Sequence, residues 1–259
     1  MKRKKFSALM LGAMACAAML AASCNKDDDN KGGGKVPASV TWTYYENGEV
    51  SGIYQQVFTY DAKNRVTTLI YQELTESGAV EGEPNRYDFT YSGDNLVKVT
   101  PDDNDGIQEI AYLSATQVQV VTKWSSSNDT ALIELNDKGQ VVKRYGNEYT
   151  YNANGTIAKW ASTTYPEEST YTYDDKNGIF KNCNMPSWWF MGNGDYYMNM
   201  VHNATSYTYV SNYGGSTTSN LYSFAMDVYD ADGYPTQITE TTQSGITRGN
   251  KDVMTIVYK

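Results

Sequence analysis

Residues that commonly carry catalysis are sparse in this chain. It has one histidine, His202, and no serine in a G-x-S-x-G context. A histidine-based triad would place His202 beside a nucleophile, and its surroundings, VHNATSY, match no such motif. The chain has 30 acidic residues, and two carboxylates suffice for glycoside hydrolysis, so a carboxylate-dependent hydrolase stays open as an alternative. The sequence thus yields no catalytic residue, favours a non-enzymatic protein and predicts no cofactor.

Two acidic stretches resemble calcium-binding loops: PDDNDG at 101–106 and VYDADG at 228–233. Aligned on the glycine at position six of the EF-hand pattern, both lack the first and last ligands. Those positions hold Pro101 and Tyr112 in one stretch, and Val228 and Thr239 in the other. We therefore interpret both as turns and predict no metal site.

The segment Asn184–Met200, NMPSWWFMGNGDYYMNM, concentrates aromatic and methionine side chains and breaks the pattern around it. Its aromatic faces could stack on sugar rings, which makes Trp188, Trp189, Tyr196 and Tyr197 the candidate ligand-binding residues. The competing interpretation is that the segment covers the apolar face of a sheet, since a one-sided sheet must bury that face. We expect at least one of the two tryptophans to be buried.

The amino-terminal region has the three parts of a secretory signal. Basic residues at 2–5 precede the apolar run Phe6–Ala22, which is short for a membrane-spanning helix, and small residues lead to Cys24. The run LAASC resembles the lipobox of bacterial lipoproteins, with Ala21 where that pattern prefers leucine. The resemblance implies cleavage after residue 23 and acylation of Cys24, for example with palmitate. Several acyl chains would anchor the protein durably, whereas one alone binds marginally.

An acidic and glycine-rich stretch follows Cys24. Asp27, Asp28 and Asp29 resemble the export signal of Bacteroides-type surface lipoproteins, which implies an outer-membrane protein facing the cell exterior; the alternative is a plain solvated linker. Residues 24–36 are therefore predicted to be a lipidated, flexible linker, with a reach of roughly 20 Å for twelve residues. A single domain is expected over 37–259.

The composition of the mature chain limits its partners. Residues 1–24 contain four basic and no acidic residues, so 17 Lys and Arg remain against 30 Asp and Glu, a net charge of −13. This charge argues against nucleic acid as a partner. With Cys16 removed and Cys24 acylated, Cys183 stands alone, so no disulfide framework is predicted and Cys183 is expected to pack as a small hydrophobe. We expect a monomer.

Short turn motifs recur along the chain between alternating strand-like segments. Each has an aromatic or aliphatic residue, then Asp or Asn, then Gly or Asn before a strand-forming residue, as in YDAKNRV, YNANGTI and YDADGYP. Asp and Asn favour such turns, and Gly or Asn accepts the left-handed conformation that closes a hairpin. We therefore predict hairpins with positive φ at Gly155 and Gly233. The flanks alternate with period two, which is typical of antiparallel sheet.

These turns resemble the tyrosine–aspartate (YD) repeats of bacterial surface and toxin proteins. A closer likeness is to uncharacterised surface lipoproteins of Bacteroides-type bacteria, a family of unknown function. It rests on YTYDDKNGIFKN at Tyr171–Asn182, VYDADGYPTQIT at Val228–Thr239 and the final strand MTIVYK. The likeness implies an antiparallel β protein and brings no catalytic residues.

The sequence as a whole predicts an all-β protein, a curled antiparallel meander of about ten to twelve strands with a covering aromatic loop segment. Its 23 tyrosines against 6 phenylalanines suggest an aromatic face that is only partly covered. The favoured function is non-enzymatic binding of an extracellular ligand such as a glycan, on a protein held to the membrane by its lipid. The alternatives are a structural or adhesive lipoprotein that docks to partner proteins, for instance through a bare strand edge, and the hydrolase.

Overall fold

The computed structural model describes residues 34–103, 106–191, 201–244 and 247–259. In this part of the chain, 16 antiparallel strands form one closed barrel. The chain is all-β, but the prediction of a curled meander of ten to twelve strands is wrong. The elements are β1 Pro37–Glu46, β2 Glu49–Tyr60, β3 Val66–Leu74, β4 Val80–Ser92, β5 Asn95–Pro101, β6 Ile107–Ser114, β7 Gln117–Lys123, β8 Asn128–Leu135, β9 Val141–Arg144, β10 Asn147–Tyr151, β11 Ile157–Ser162, β12 Glu167–Tyr173, α1 Ser187–Met191, β13 Ala204–Tyr213, β14 Ser216–Tyr229, β15 Pro235–Ser244 and β16 Thr247–Tyr258.

Each strand pairs with its neighbours in sequence, and β1 closes the barrel by pairing with β16. Two features hide this architecture from the sequence. Strands such as β9 and β10, with four and five residues, are too short to show a clear alternation. Closure depends on a contact between the two ends of the domain, which no local pattern records. No helix in the described part of the chain is long and apolar enough to cross a membrane.

The up-and-down topology gives the barrel two distinct ends. The end that holds Val36 and Lys259, called the base here, also carries the turns after β2, β8, β10 and β14 and the connection from β12 to β13. The backbones of Val36 and Lys259 bond to each other there, with the amide of Lys259 3.0 Å from the carbonyl oxygen of Val36. The opposite end, called the mouth, carries the turns after β1, β9, β11 and β13.

Four turns at the base share one hydrogen-bonding pattern. After β2, the amide of Asp61 donates to the carbonyl of Arg65 at 3.0 Å, and the amide of Asn64 donates back to Asp61 at 3.1 Å. The same two bonds recur in the turns that start at Asn136, Asn152 and Asp230. The predicted positive φ is confirmed at Gly155 (89°) and Gly233 (79°), where a side chain would be strained.

Tyrosine hydroxyl groups tie neighbouring strands together at the base. In five places a tyrosine at or next to the end of one strand donates to the carbonyl of the residue that begins the preceding strand. These bonds account for part of the tyrosine content, because each hydroxyl reaches a backbone acceptor from within the sheet. The pairs are Tyr60 to Pro37 (2.8 Å), Tyr91 to Val66 (2.9 Å), Tyr151 to Val141 (2.7 Å), Tyr173 to Ile157 (2.8 Å) and Tyr258 to Pro235 (2.9 Å).

The hydrophobic core lies inside the barrel. Along β1, Val40 and Trp42 point inward and are buried, whereas Thr41 and Thr43 between them lie on the outer face. The same alternation along the other strands buries a continuous apolar cluster, with Leu69, Leu96 and Ile133 at 1% exposure or less. The tyrosine content suggested an aromatic face that is only partly covered. The barrel instead encloses most of its apolar face.

Removing one hydroxyl of the base should measurably weaken the barrel. Tyr60→Phe leaves the buried Pro37 carbonyl without this donor, so we expect the free energy of unfolding to fall by about 1–3 kcal/mol. Urea denaturation would measure it. The control is Tyr165→Phe, an exposed ring for which we expect a change within about 0.5 kcal/mol. Equal stability of Tyr60→Phe and the wild type would show that this bond contributes nothing.

Candidate functional site

The two tryptophans of the aromatic segment lie within the barrel core. Trp188 and Trp189 of α1 are each 3% exposed and belong to the core cluster. The prediction that at least one of them is buried is confirmed. The two rings expose little surface on which a sugar could stack, and ligand binding by Trp188 and Trp189 stays a prediction. Tyr196 and Tyr197 lie outside the described residues.

Specific contacts hold α1 against the inner wall. The Trp189 indole nitrogen donates to the side-chain oxygen of Gln108 at 3.2 Å, and its ring meets Phe89 edge to face at 4.8 Å between centroids. Arg144, 9% exposed, donates from Nη1 to the Trp188 carbonyl oxygen at 2.7 Å. These bonds satisfy polar groups that would otherwise be costly inside an apolar core.

The connection around α1 also closes the base. Phe180 packs on Phe58 inside the barrel, with ring centroids 5.3 Å apart. Asn182 donates to the Lys35 carbonyl at 2.9 Å and to the Tyr234 hydroxyl at 2.7 Å. A void of about 20 Å³ lined by Ile179, Asn203, Ala204, Phe224, Met226, Ile238 and Met254 remains beside this connection. It has room for about one water molecule, so this void is too small for a ligand.

The mouth is the more accessible end of the interior. On β2 the inward-facing Phe58 is buried near the base, whereas Tyr54, nearer the mouth, is half-buried. On β14, Phe224 is buried, and Tyr222, which lies nearer the mouth, is half-buried. Inward-facing Tyr44 reaches 38% exposure near the end of β1. Inward-facing aromatic rings at this end are therefore within reach of a ligand.

Four aromatic residues, called the tyrosine wall here, line the rim of the mouth across β11, β12 and β13: Trp160, Tyr165, Tyr209 and Tyr213. The rings of Tyr165 and Tyr213 are 6.2 Å apart and tilted by 47°, and those of Trp160 and Tyr209 are 6.4 Å apart and tilted by 38°. Tyr165 is 56% exposed and Tyr213 is 48% exposed. No motif in the sequence marks this group, because its members are far apart along the chain.

Glu167 organises the wall. Its carboxylate accepts a hydrogen bond from the Tyr213 hydroxyl at 2.7 Å, and this bond raises the pKa of Tyr213 to about 12. Burial, followed by a hydrogen bond to the same carboxylate, raises the pKa of Tyr209. The Ser162 hydroxyl accepts from the amide of Tyr165 at 3.1 Å and shapes the turn that carries this ring. The wall is thus held in place without a ligand.

Two carboxylates face each other on the inner side of the barrel. Glu240 of β15 and Asp252 of β16 are cross-strand partners, and each follows the inward alternation of Ile238 or Met254. Burial, with a smaller contribution from the charge of Asp252, raises the pKa of Glu240 to about 7. Burial also raises the pKa of Asp252, although the amide of Tyr45 donates to it at 3.3 Å. The pair can therefore hold a proton near neutral pH.

The other residues that the sequence offered as candidates for chemistry make contacts typical of structural residues. His202 is half-buried, and its Nδ1 lies 2.8 Å from the Lys176 carbonyl oxygen. Cys183 packs against the core, and desolvation raises the pKa of its thiol to about 12, which suits a packed residue rather than a nucleophile. In the loop at 228–233, Asp230 accepts from the amides of Asp232 and Tyr234 and pairs with Lys35 at 2.8 Å.

Comparison with known proteins defines the fold and leaves the activity open. No family model matches the chain, and no curated protein matches it. Among solved structures it is similar to a porin-like protein from Bacteroides uniformis ATCC 8492, with 9% identity and a TM-score of 0.51 over 86% of this chain and 98% of the other. A porin-like protein from Bacteroides vulgatus ATCC 8482 has 10% identity and a TM-score of 0.34 over 87% and 99%. The first similarity shows a shared fold; the second score is too low to carry an argument.

The comparisons bear only partly on the resemblance seen in the sequence. The first of these neighbours comes from Bacteroides, the type of bacterium that the resemblance implied, and at 9% identity the similarity shows the fold alone. No family model supports a relationship to YD repeats.

Loss of either buried indole should destabilise the protein. We expect Trp189→Ala to lower the free energy of unfolding by about 3–5 kcal/mol, because it opens a cavity against Phe89 and removes the hydrogen bond from the indole to Gln108. The control is Trp160→Ala at the mouth, whose half-buried ring should cost less. Urea unfolding measures both, and full acrylamide quenching of Trp188 and Trp189 in the folded protein would contradict their burial.

The Glu240 carboxyl should make stability depend on pH. Its pKa is about 7 in the folded protein against an ordinary value of 4.5, so the folded state binds the proton more tightly. The stability from this group is fully present below pH 4.5 and is lost as pH rises through 7. We therefore expect Glu240→Gln to be more stable than the wild type at pH 8, by about 3 kcal/mol, and by less at pH 5. Urea unfolding at both values tests this, and a difference independent of pH would refute it.

Proposed function

We propose that the chain is a lipid-anchored protein of the outer membrane whose barrel stands in water at the cell surface. In this proposal the base faces the bilayer, the mouth faces away from it, and the mouth binds an extracellular ligand. The observation that carries the proposal is the charge on the outer face of the barrel.

Charged side chains occupy outward positions within the strands. Glu109 lies between the inward-facing Gln108 and Ile110 on β6, and it pairs with Lys123 of β7. Lys159 of β11 pairs with Glu168 of β12 at 2.5 Å. A membrane-spanning barrel has the opposite pattern, with apolar residues outside, and a lysine facing lipid at the bilayer midplane costs about 2–4 kcal/mol. These positions therefore support a barrel that stands in water.

A row of charges extends this outer surface over three strands. Glu134 of β8 is the cross-strand partner of Lys143 of β9, which is in turn the partner of Glu148 of β10. Lys143 and Glu148 approach to 3.8 Å. Opposite charges directly across a ladder stabilise a solvated sheet modestly, by roughly 0.2–1 kcal/mol per pair. The row suits contact with water better than contact with acyl chains.

The position of the amino terminus supports the proposed orientation. The chain joins the barrel at the base, where Lys35 pairs with Asp230 at 2.8 Å and with Asp232 at 2.5 Å. Cys24 precedes this point by eleven residues, which as a flexible chain would reach roughly 20 Å. An acyl group on Cys24 would therefore keep the base near the membrane and leave the mouth accessible from the medium.

The structure bears differently on the two alternatives. Within the described residues, every strand of the closed barrel has a partner on both sides, so the bare edge expected for docking by strand addition is missing. The Glu240–Asp252 pair keeps the carboxylate-dependent hydrolase as a prediction. Ligand binding at the mouth is favoured because the exposed aromatic rings of the barrel interior are found there.

Cys24 should carry the anchor. In a host with a lipoprotein pathway, we expect Cys24→Ala to abolish labelling with a clickable palmitate and to move the protein from the membrane fraction to the soluble fraction. The control is Cys183→Ala, which should stay labelled and membrane-bound. Unchanged labelling of Cys24→Ala would contradict the proposal.

The acidic stretch tests surface display separately from lipidation. Replacing Asp27, Asp28 and Asp29 with alanine should leave labelling intact and protect the protein from protease added to whole cells. Equal cleavage of this variant and the wild type would mean that the stretch is a linker and carries no export information.

A further inference from the structure

We infer that the tyrosine wall, Trp160, Tyr165, Tyr209 and Tyr213, is a binding platform for a neutral oligosaccharide. The inference rests on the proposed function, because it needs the mouth to face the medium. The proposed platform is a different set of aromatic residues from Trp188 and Trp189, and it lies at the rim across β11 to β13.

The first argument is the exposure of the rings. Tyr165 and Tyr213 are about half exposed, although large aromatic side chains in a folded domain gain stability by burial. Neither ring belongs to the buried core. The centroids of the two rings, which are tilted against each other, lie 6.2 Å apart. This separation is comparable to the length of one pyranose residue, so consecutive sugar units could each lie on a ring.

The second argument is that the wall is rigid before any ligand arrives. The carboxylate of Glu167 holds the hydroxyl groups of Tyr209 and Tyr213. The turn with Tyr165 is fixed by Ser162 on one side, and the Asn212 amide bonds to the Pro166 carbonyl at 2.9 Å on the other. A platform that is already ordered loses little conformational entropy on binding, which favours affinity for a weakly interacting ligand.

The third argument is the polar chemistry beside the rings. Trp160, Ser169, Tyr209 and Asn220 form one cross-strand row over β11 to β14. The Oδ1 atom of Asn220 in this row is buried and has no hydrogen-bond partner. Apolar ring faces next to hydrogen-bonding groups suit a ligand with apolar faces and hydroxyl edges, which describes a sugar.

The fourth argument is charge, which selects a neutral sugar. Glu167, Glu240 and Asp252 all lie on the inner side of the strands near the mouth. Lys159 of β11 faces outward and pairs with Glu168, and Lys251 of β16 precedes the inward-facing Asp252 and so lies on the outer face by alternation. Arg144 is nine-tenths buried against Trp188. An anionic ligand such as a uronate or a sulfated sugar would meet repulsion from these carboxylates.

The test uses the full-length protein purified in a detergent without a sugar headgroup. Isothermal titration calorimetry would measure binding of maltohexaose, cellohexaose, xylohexaose and mannohexaose, with hexagalacturonate as the anionic comparison. We expect at least one neutral hexasaccharide to bind and hexagalacturonate to bind at least tenfold more weakly. Binding should also change the fluorescence of Trp160, and the change should be lost in Trp160→Phe.

Variants separate stacking from hydrogen bonding. Tyr213→Ala and Tyr165→Ala should each weaken binding at least tenfold while the urea midpoint stays near that of the wild type. Tyr213→Phe keeps the ring and should lose less affinity than Tyr213→Ala. The matched control is Leu132→Ala, an exposed residue on the outer face of β8, which should bind like the wild type.

Three results would overturn the inference: no binding of any neutral hexasaccharide at millimolar concentration, equal or tighter binding of hexagalacturonate, or wild-type affinity in both alanine variants. The outcome is independent of the anchor, because binding in detergent does not depend on acylation of Cys24. A failed palmitate experiment would refute the proposed tether and leave this measurement interpretable.

Discussion

Pairing between the first and last strands is the constraint on which the rest of the structure depends. Val40 of β1 faces Ile256 of β16, and Trp42 faces Met254, so the two ends of the domain complete one ladder. Closure gives every strand a partner on both sides and divides alternate residues into an inside and an outside. It also fixes where the chain enters and leaves the barrel. The apolar interior, the charged exterior and the entry of the chain at the base all follow from it.

The two ends of the barrel are used differently. At the base, repeated turns and tyrosine hydroxyl bonds join the strands, and the connection containing α1 fills the interior with Phe180, Trp188 and Trp189. At the mouth, the inward alternation continues into strands that extend beyond this filling, so aromatic and acidic side chains face a more open space. A structural base and an accessible mouth are the division expected of a scaffold that presents a binding surface away from its anchor.

Local signals in the sequence predict the local structure well. The hairpin turns and the positive φ at Gly155 and Gly233 follow from residue types within a few positions of each other. Strand number and closure could not be predicted, because short strands such as β9 lack periodicity and the β1–β16 contact is non-local. The run WWF drew attention to Trp188 and Trp189 because they are adjacent in sequence. The tyrosine wall instead gathers Trp160 from β11, Tyr165 from the turn that follows, and Tyr209 and Tyr213 from β13, and the alternation of tyrosines along β13 was its one visible trace.

The central claim is that the barrel stands in water with its apolar face inside, and accessibility of the outer face tests it most directly. Thr90, Thr170 and Thr255 are exposed, and each lies between two inward-facing residues of its strand. Each would be changed to cysteine and exposed to a charged, membrane-impermeant maleimide in native membranes and after solubilisation. The account predicts that all three react as fast in membranes as in detergent. Protection of these positions in membranes, with reaction only after solubilisation, would place the barrel in the bilayer and contradict the account.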